Sequence, residues 1–484
     1  MVPLNGRPLF LSFLFAAGAV CAADQPADKP AGKSAASQAQ KPAAKRRRKL
    51  LRKPNMRNPL KMPPGRKRPE TSPSNDYEVK APTMVPQGFA HPTERQPWPV
   101  RLMVHSVRQG MFIGLPVVDT DPNRGITSGI MPILVVKQAE GGDRITSIWA
   151  PSVTYNKTFK ANGTIRYYGY PTRESELVLR ASWAQVNDRE AMGEYVNRNV
   201  YDKGYQFRGR VQYSVDGSNR FFGIGPDTSI AGESNYSSNA LFGRATVGVP
   251  LVKDSGWLVT VTPFIATTKI SDGPIKSIPQ IADAYPGRES GHHHQNSNLR
   301  VALDFDSRDE DISTTQGTYL GVSIDNSARA IGSEYDYRKY GVDYRQFHKW
   351  GGSMSRHVTA GNLKFEQIEG NPPFWLMPQL GGKYVHRAYG EGRYIDRGVM
   401  SAQLEHRYTV YTAVMSGVST DFEVAPFAGV GTVFRSAGEI DTRYLRPVFG
   451  GALRAVARPQ VVGSIDFGMG QEGLAAFMDI NYSW

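Results

Sequence analysis

Few residues in this chain are arranged for covalent chemistry. His292, His293 and His294 place three imidazoles in a row. Adjacent side chains on an extended backbone point to opposite faces, so the three do not converge on one ion and no metal site is expected. Gly351-Gly352-Ser353-Met354-Ser355 imitates a nucleophile elbow but lacks its final glycine. Ala31-Gly32-Lys33-Ser34 imitates the end of a phosphate-binding loop without the upstream glycine or a flanking strand. The single cysteine, Cys21, falls inside an N-terminal export signal, so the mature chain carries no thiolate nucleophile and no disulfide. The expectation is a protein that is not an enzyme and takes no cofactor. What remains is charge on one strand face. Over 400–412, Gln403, Glu405, Arg407 and Thr409 share one side, and Ala402, Leu404, His406 and Val410 share the other. Such a face can hold ions and hydrogen bonds.

A strand of that kind needs water or ion partners on one side and apolar surroundings on the other. The last eleven residues repeat the pattern. Leu474, Ala476, Met478, Ile480, Tyr482 and Trp484 alternate with Ala475, Phe477, Asp479, Asn481 and Ser483. A final strand that is apolar outward and ends on an aromatic fits an outer-membrane β-barrel, and Tyr482 and Trp484 are read as its C-terminal assembly signal. Asn298–Asp306 is the cleanest internal case, with Leu299, Val301, Leu303 and Phe305 opposite Asn298, Arg300, Ala302, Asp304 and Asp306. In a sandwich those charges would be buried if that face were covered; in a barrel with a wet lumen they are solvated.

Composition agrees. Hydrophobic residues make up 40% and aromatics 11%, with 49 glycines, a mix suited to strands with one lipid-facing surface. No stretch after residue 25 is apolar over 18 residues, which excludes spanning helices. Residues 1–23 read as a secretory signal: Arg7, an apolar run from Leu9 to Cys21, then Ala22 and Ala23. Residues 24–75 hold fifteen Lys or Arg against three Asp or Glu, so nearly all of the net charge of +14 belongs to this tail. The tail has too little apolar surface to fold. Its Lys45-Arg46-Arg47-Arg48-Lys49 run, once exported, faces periplasmic polyanions such as peptidoglycan carboxylates or lipid phosphates; a solvated linker is the plain alternative. Nucleic acid is not expected as a partner.

Residues 76–126 read as a Pro-rich periplasmic approach segment, and 127–484 as an all-β, antiparallel transmembrane barrel. The alternation predicts 16 strands, near 127–137, 144–156, 160–170, 174–186, 203–216, 238–250, 256–270, 297–308, 316–328, 334–348, 354–369, 400–412, 421–434, 446–457, 460–469 and 474–484. The long gaps 217–237, 271–296 and 370–399 then fall at the outer end, while 187–202 is a long gap at the wrong one.

Three motifs carry a resemblance. The first is Phe221-Phe222-Gly223-Ile224-Gly225 with Tyr236; the second is Asp304-Phe305-Asp306-Ser307-Arg308-Asp309 with Gly317. The third joins Leu380-Gly381-Gly382, Val385-His386-Arg387-Ala388-Tyr389-Gly390, Glu405 and Arg407. Together they resemble the bacterial surface antigen family of outer-membrane barrels, the superfamily that includes BamA and TamA, over roughly residues 110–484. The resemblance implies a long loop folded into the lumen, its tip Arg387-Ala388-Tyr389 pairing with a wall carboxylate. Facing inward, Glu405 is the expected partner, in a bidentate fit. Two departures stand out: Ala388 replaces a family glycine, and Gly429 replaces a family Asp. Residues 24–126 leave no room for the polypeptide-transport-associated domains of BamA and TamA, which implies a barrel-only member.

The resemblance implies insertion or translocation of outer-membrane proteins or lipids, with client outer-membrane proteins and outer-membrane lipids as partners. The alternative is a passive transport or structural barrel tethered to the cell wall by its basic tail. The seam between first and last strands is the implied gate, and Gly129 and Pro132 are read as marking it.

Overall fold

The computed structural model describes residues 90–91, 104–107, 110–138, 145–253, 255–310, 313–352, 355–415, 418–457, 460–479 and 482. The signal, the basic tail and Trp484 lie outside the described residues.

The described chain is an all-β, closed antiparallel barrel of 18 strands rather than 16. In order these are β1 (Gly110–Asp121), β2 (Gly125–Lys137), β3 in two pieces (Ile145–Trp149 and Ser152–Asn156), β4 (Lys160–Gly169), β5 (Ser175–Ala184) and β6 (Asp188–Val200). They continue with β7 (Tyr205–Phe221), β8 (Ser234–Pro250), β9 (Trp257–Asp272), β10 (His294–Asp306), β11 (Gly317–Ser327) and β12 (Tyr337–Lys349). The circuit ends with β13 (His357–Gly370), β14 (Gly398–Met415), β15 (Val418–Phe434), β16 (Arg446–Ala457), β17 (Gln460–Gly470) and β18 (Gly473–Asp479). Each strand pairs antiparallel with its sequence neighbours.

The two strands beyond the expected sixteen are β1 and β6, and both lack a clean alternation. On β1 both faces are apolar: Met111 and Ile113 are buried while Phe112 and Val118 are exposed. On β6 the outward positions Ala191, Gly193 and Tyr195 are mostly small. Adding β6 removes the misplaced long gap 187–202. Adding β1 inverts the ends assigned to the four strands after it. It also moves the edge: Pro132 lies inside β2, opposite Gly114, and β3 breaks at Ala150-Pro151 alongside it.

Outward positions form an apolar belt, including Ile165, Val211, Leu241, Ile265, Leu299, Val301, Leu404, Leu453 and Leu474, all exposed. In a bilayer this belt gains about 25 cal/mol per Å² of apolar surface removed from water. The inward row is polar where a wet lumen demands it: the Asp304 carboxylate accepts from Thr260 Oγ1 at 3.0 Å and Tyr319 Oη at 2.9 Å.

Closure is uneven. Among the described residues, β18 meets β1 at a single register pair, Ala476 opposite Thr120. Thr120 Oγ1 donates to the Ala476 carbonyl at 3.2 Å and accepts from Ala476 N at 3.1 Å. Lower on β1, a short strand Val104–Val107 pairs with Gly110–Ile113.

Candidate functional site

The connection from β13 to β14, residues 371–397, does not stay outside the barrel. Its short ladder Gln379–Leu380 with Tyr394–Ile395 carries a tip that packs on the inner wall. Two glycines shape it. Gly381 and Gly382 have φ of +136° and +80°, and a Cβ on Gly381 would lie 2.1 Å from the Gly390 carbonyl. Gly382 N donates to the Tyr389 carbonyl at 2.8 Å, and His386 N donates to the Gly382 carbonyl at 2.9 Å. The tip is thereby a closed turn with Arg387 at its end.

Arg387 is fully buried. Its Nη1 donates to Glu405 Oε2 at 2.7 Å and to Asp466 Oδ2 at 2.9 Å. Its guanidinium carbon stands 3.6 Å from the Phe427 ring centre, and its Nε and Nη2 make no hydrogen bond. The bidentate fork belongs to another residue. Arg454 sends Nη1 to Glu405 Oε1 at 2.7 Å and Nη2 to Glu405 Oε2 at 2.9 Å. Arg407 Nε adds a bond to Glu405 Oε1 at 2.8 Å. One carboxylate thus receives three guanidinium groups, each almost wholly buried. Asp466, on β17, spreads the negative charge, and its Oδ1 accepts from Ser464 Oγ at 2.7 Å.

The wall acid missing at Gly429 has a counterpart on β17, Asp466. The Ala388 departure has a similar resolution. Close approach is made possible by the wall: a Cβ on Gly468 would stand 1.6 Å from the Arg387 carbonyl, and one on Gly470 would meet Ala388 Cβ at 3.0 Å. Tyr389 stacks on His386 at 5.3 Å between ring centres, and its hydroxyl accepts from Gln471 N at 3.1 Å. His386 Nε2 donates to the Arg446 carbonyl at 2.8 Å. Burial pushes this imidazole down to about 4, and the Arg387 charge adds to the shift, so it is neutral at pH 7.

Tyr482 sits inside the barrel, off the lipid face to which strict alternation from Leu474 assigns it. Its hydroxyl donates to Glu423 Oε2 at 2.9 Å, and its ring lies 3.9 Å from the Arg407 guanidinium carbon. Asp479 is the last described residue of β18, and Tyr482 lies beyond it.

Above the tip, the outer loops interlock. Arg393 Nε donates to Glu472 Oε1 at 2.7 Å and its Nη2 to the Thr228 carbonyl at 3.0 Å. Asn123 Nδ2 donates to the Glu391 carbonyl at 2.8 Å. Phe221, Tyr236 and Phe374 form one buried aromatic group. At the opposite end, Arg308 forks onto Asp306 at 3.0 and 2.9 Å, and Gly317, with φ of +110°, completes the turn.

Sequence reasoning missed Asp466, Arg454 and Arg393. The first two were accessible, since Ser464, Asp466 and Gly468 alternate with Ile465, Phe467 and Met469, and Arg454 lies between Leu453 and Ala455. The signal was an ionised residue on the face opposite an apolar row.

The arrangement binds a loop within a lumen; it brings no nucleophile to a base. The Omp85 superfamily domain matches residues 173–452 of the chain. Among solved structures, BamA from Haemophilus ducreyi lacking POTRA domains 1–3 superposes with a TM-score of 0.47 at 12% identity, over 72% of this chain and 74% of that one. CdiB from Acinetobacter baumannii superposes with a TM-score of 0.37 at 11% identity, over 77% of this chain and 60% of that one. No curated protein matches the sequence. With more than half its length matched by that domain, the chain belongs to the Omp85 superfamily of bacterial outer-membrane barrels.

Proposed function

We propose that this barrel inserts or translocates outer-membrane proteins or lipids by parting between β1 and β18. The observation that carries the reading is the single register pair among the described residues of that junction, set against the longer ladder of β17 with β18. An unpaired strand edge is a template for another strand, and exposing one in a membrane requires a replacement partner. A client strand or a lipid headgroup supplies it. The lumen loop, tied to β14 and β17 by Arg387, holds the wall beside the seam in place while β18 and β1 part. The reading needs no covalent step. The basic tail belongs in the periplasm on this account, within reach of anionic cell-wall or lipid groups.

The test is a lock across the seam. Thr120 and Ala476 stand directly opposite, so cysteines at both positions can form a disulfide. In a strain lacking the natural chain, the oxidised Thr120→Cys, Ala476→Cys variant should fail to restore outer-membrane protein levels, and reduction should restore them. A locked barrel that works as well as the unlocked one removes seam opening. Unchanged outer-membrane protein levels in the deletion strain remove the client-insertion role.

A further inference from the structure

We infer that the outer end of the barrel carries a binding site for a borderline divalent transition ion of the zinc class, formed by His292, His294 and Glu334. The inference stands independently of the insertion role. Two histidines separated by one residue share a face of an extended backbone, so His292 and His294 converge where the consecutive trio cannot. Their ring centres are 4.1 Å apart. Glu334 comes from the β11–β12 connection. Its N donates to the Gln295 carbonyl at 2.9 Å, and its Oε1 accepts from Gln295 N at 2.9 Å. That double tie leaves Oε2 aimed at the imidazoles: His294 Nδ1 lies 2.7 Å and His292 Nε2 3.7 Å from it.

The donor atoms all lie within 4.8 Å of one another. Bonds of about 2.0–2.1 Å would set tetrahedral ligand atoms ~3.3 Å apart, which the two carboxylate distances bracket. Two imidazoles and one carboxylate suit zinc, copper or nickel and leave a further position open to water. Carboxylate-preferring calcium and magnesium find too few oxygens. The base of the site is firm. Buried Ser327 and Ser333 bond at 2.9 Å beneath the connection, and Gly332 turns it with φ of +85°. Trp375 stands 5.6 Å from the His294 ring, close enough to report an ion by fluorescence. Bound there, an ion would pin the β11–β12 connection to the root of β10 and displace the proton shared by His294 and Glu334.

The test uses tag-free full-length protein in detergent, with intact barrels verified by heat-modifiable migration. Zinc titrated by calorimetry should bind one ion per chain. His292→Ala, His294→Ala and Glu334→Gln should each weaken binding at least tenfold, and His293→Ala should stay within twofold. Copper should quench the unchanged chain more than a Trp375→Phe variant. Absence of one-to-one binding, a loss in His293→Ala matching that in His294→Ala, or equal quenching with and without Trp375 would each overturn the site.

Discussion

Two neighbouring stretches of this barrel wall are held by different physics. On one side, β14, β16 and β17 surround Arg387 with buried ion pairs, and Glu405 alone accepts from three arginines. On the other, next to β17, β18 and β1 share a single register pair among the described residues, reinforced by one threonine hydroxyl. A buried charge network has few ways to relax, because moving one member strands the others. A seam of one backbone pair and one hydroxyl costs little to part. Rigidity and mobility are thus assigned to neighbouring stretches of the same wall, since β17 pairs directly with β18.

The strongest way to break the contrast is to remove its hub. Glu405→Ala leaves Arg387, Arg407 and Arg454 facing one another with only Asp466 between Arg387 and Arg454. Loss of one partner of a buried ion pair typically costs about 3–5 kcal/mol. The expected outcome is a large fall in the temperature at which the folded band disappears on gels. Arg387→Ala should cost less, since Glu405 keeps two arginines. Exchanging the charges, Arg387→Glu with Glu405→Arg, should not rescue, because the new arginine would face Arg407 and Arg454. Rescue by that exchange would reduce the network to a simple pair.

Backbone contact is the next lever. Gly468→Val forces a side chain into the space of the Arg387 carbonyl, 1.6 Å from the first carbon. Overpacking of a filled interior costs about 1–3 kcal/mol, or ejects the intruding element. Ejection is the sharper outcome here, and protease cleavage within 381–393 would register it. A loop that stays protected would mean that the wall yields instead.

Part of this contrast was legible in the sequence. Sixteen strands show the alternation of lipid and lumen faces, and Glu405 is inward by parity from Leu404. What escaped detection escaped for stated reasons. β1 carries apolar residues on both faces around Pro116, so no period of two is present to read. Of the outward positions Ala191, Gly193 and Tyr195 on β6, only Tyr195 is large. Asp466 was obscured by distance: 79 residues separate it from Arg387, and only closure of the barrel brings them together. Tyr482 was misplaced because parity was carried from Leu474 beyond Asp479, the last described residue of β18. The network needed three-dimensional adjacency across three strands.

Acid should loosen the clamped wall before the seam. His386 titrates at about 4 when folded against 6.5 when free. Its neutral form is therefore favoured by folding: the contribution is complete above pH 6.5 and is lost as pH falls toward 4, by about 3 kcal/mol over that range. Glu391 is shifted upward by burial and the nearby Asp216 and Asp121 charges, and so opposes the trend. The comparison that isolates His386 is the pH dependence of the unfolding temperature in the unchanged chain and in His386→Gln. The variant should show the shallower fall between pH 7 and 5, and parallel curves would assign the acid sensitivity elsewhere.

The smallest effect belongs to the seam. Thr120→Val keeps the shape of the side chain while removing both hydroxyl bonds to Ala476. A neutral hydrogen bond contributes about 1 kcal/mol, and the freed backbone groups sit at a strand edge that β18 already holds loosely. The unfolding temperature should scarcely move, yet hydrogen exchange at Ala476 should quicken several-fold while exchange along β14 stays unchanged. Equal acceleration in both strands would show that the two stretches are coupled, and the division between a fixed stretch and a moving seam would have to be given up.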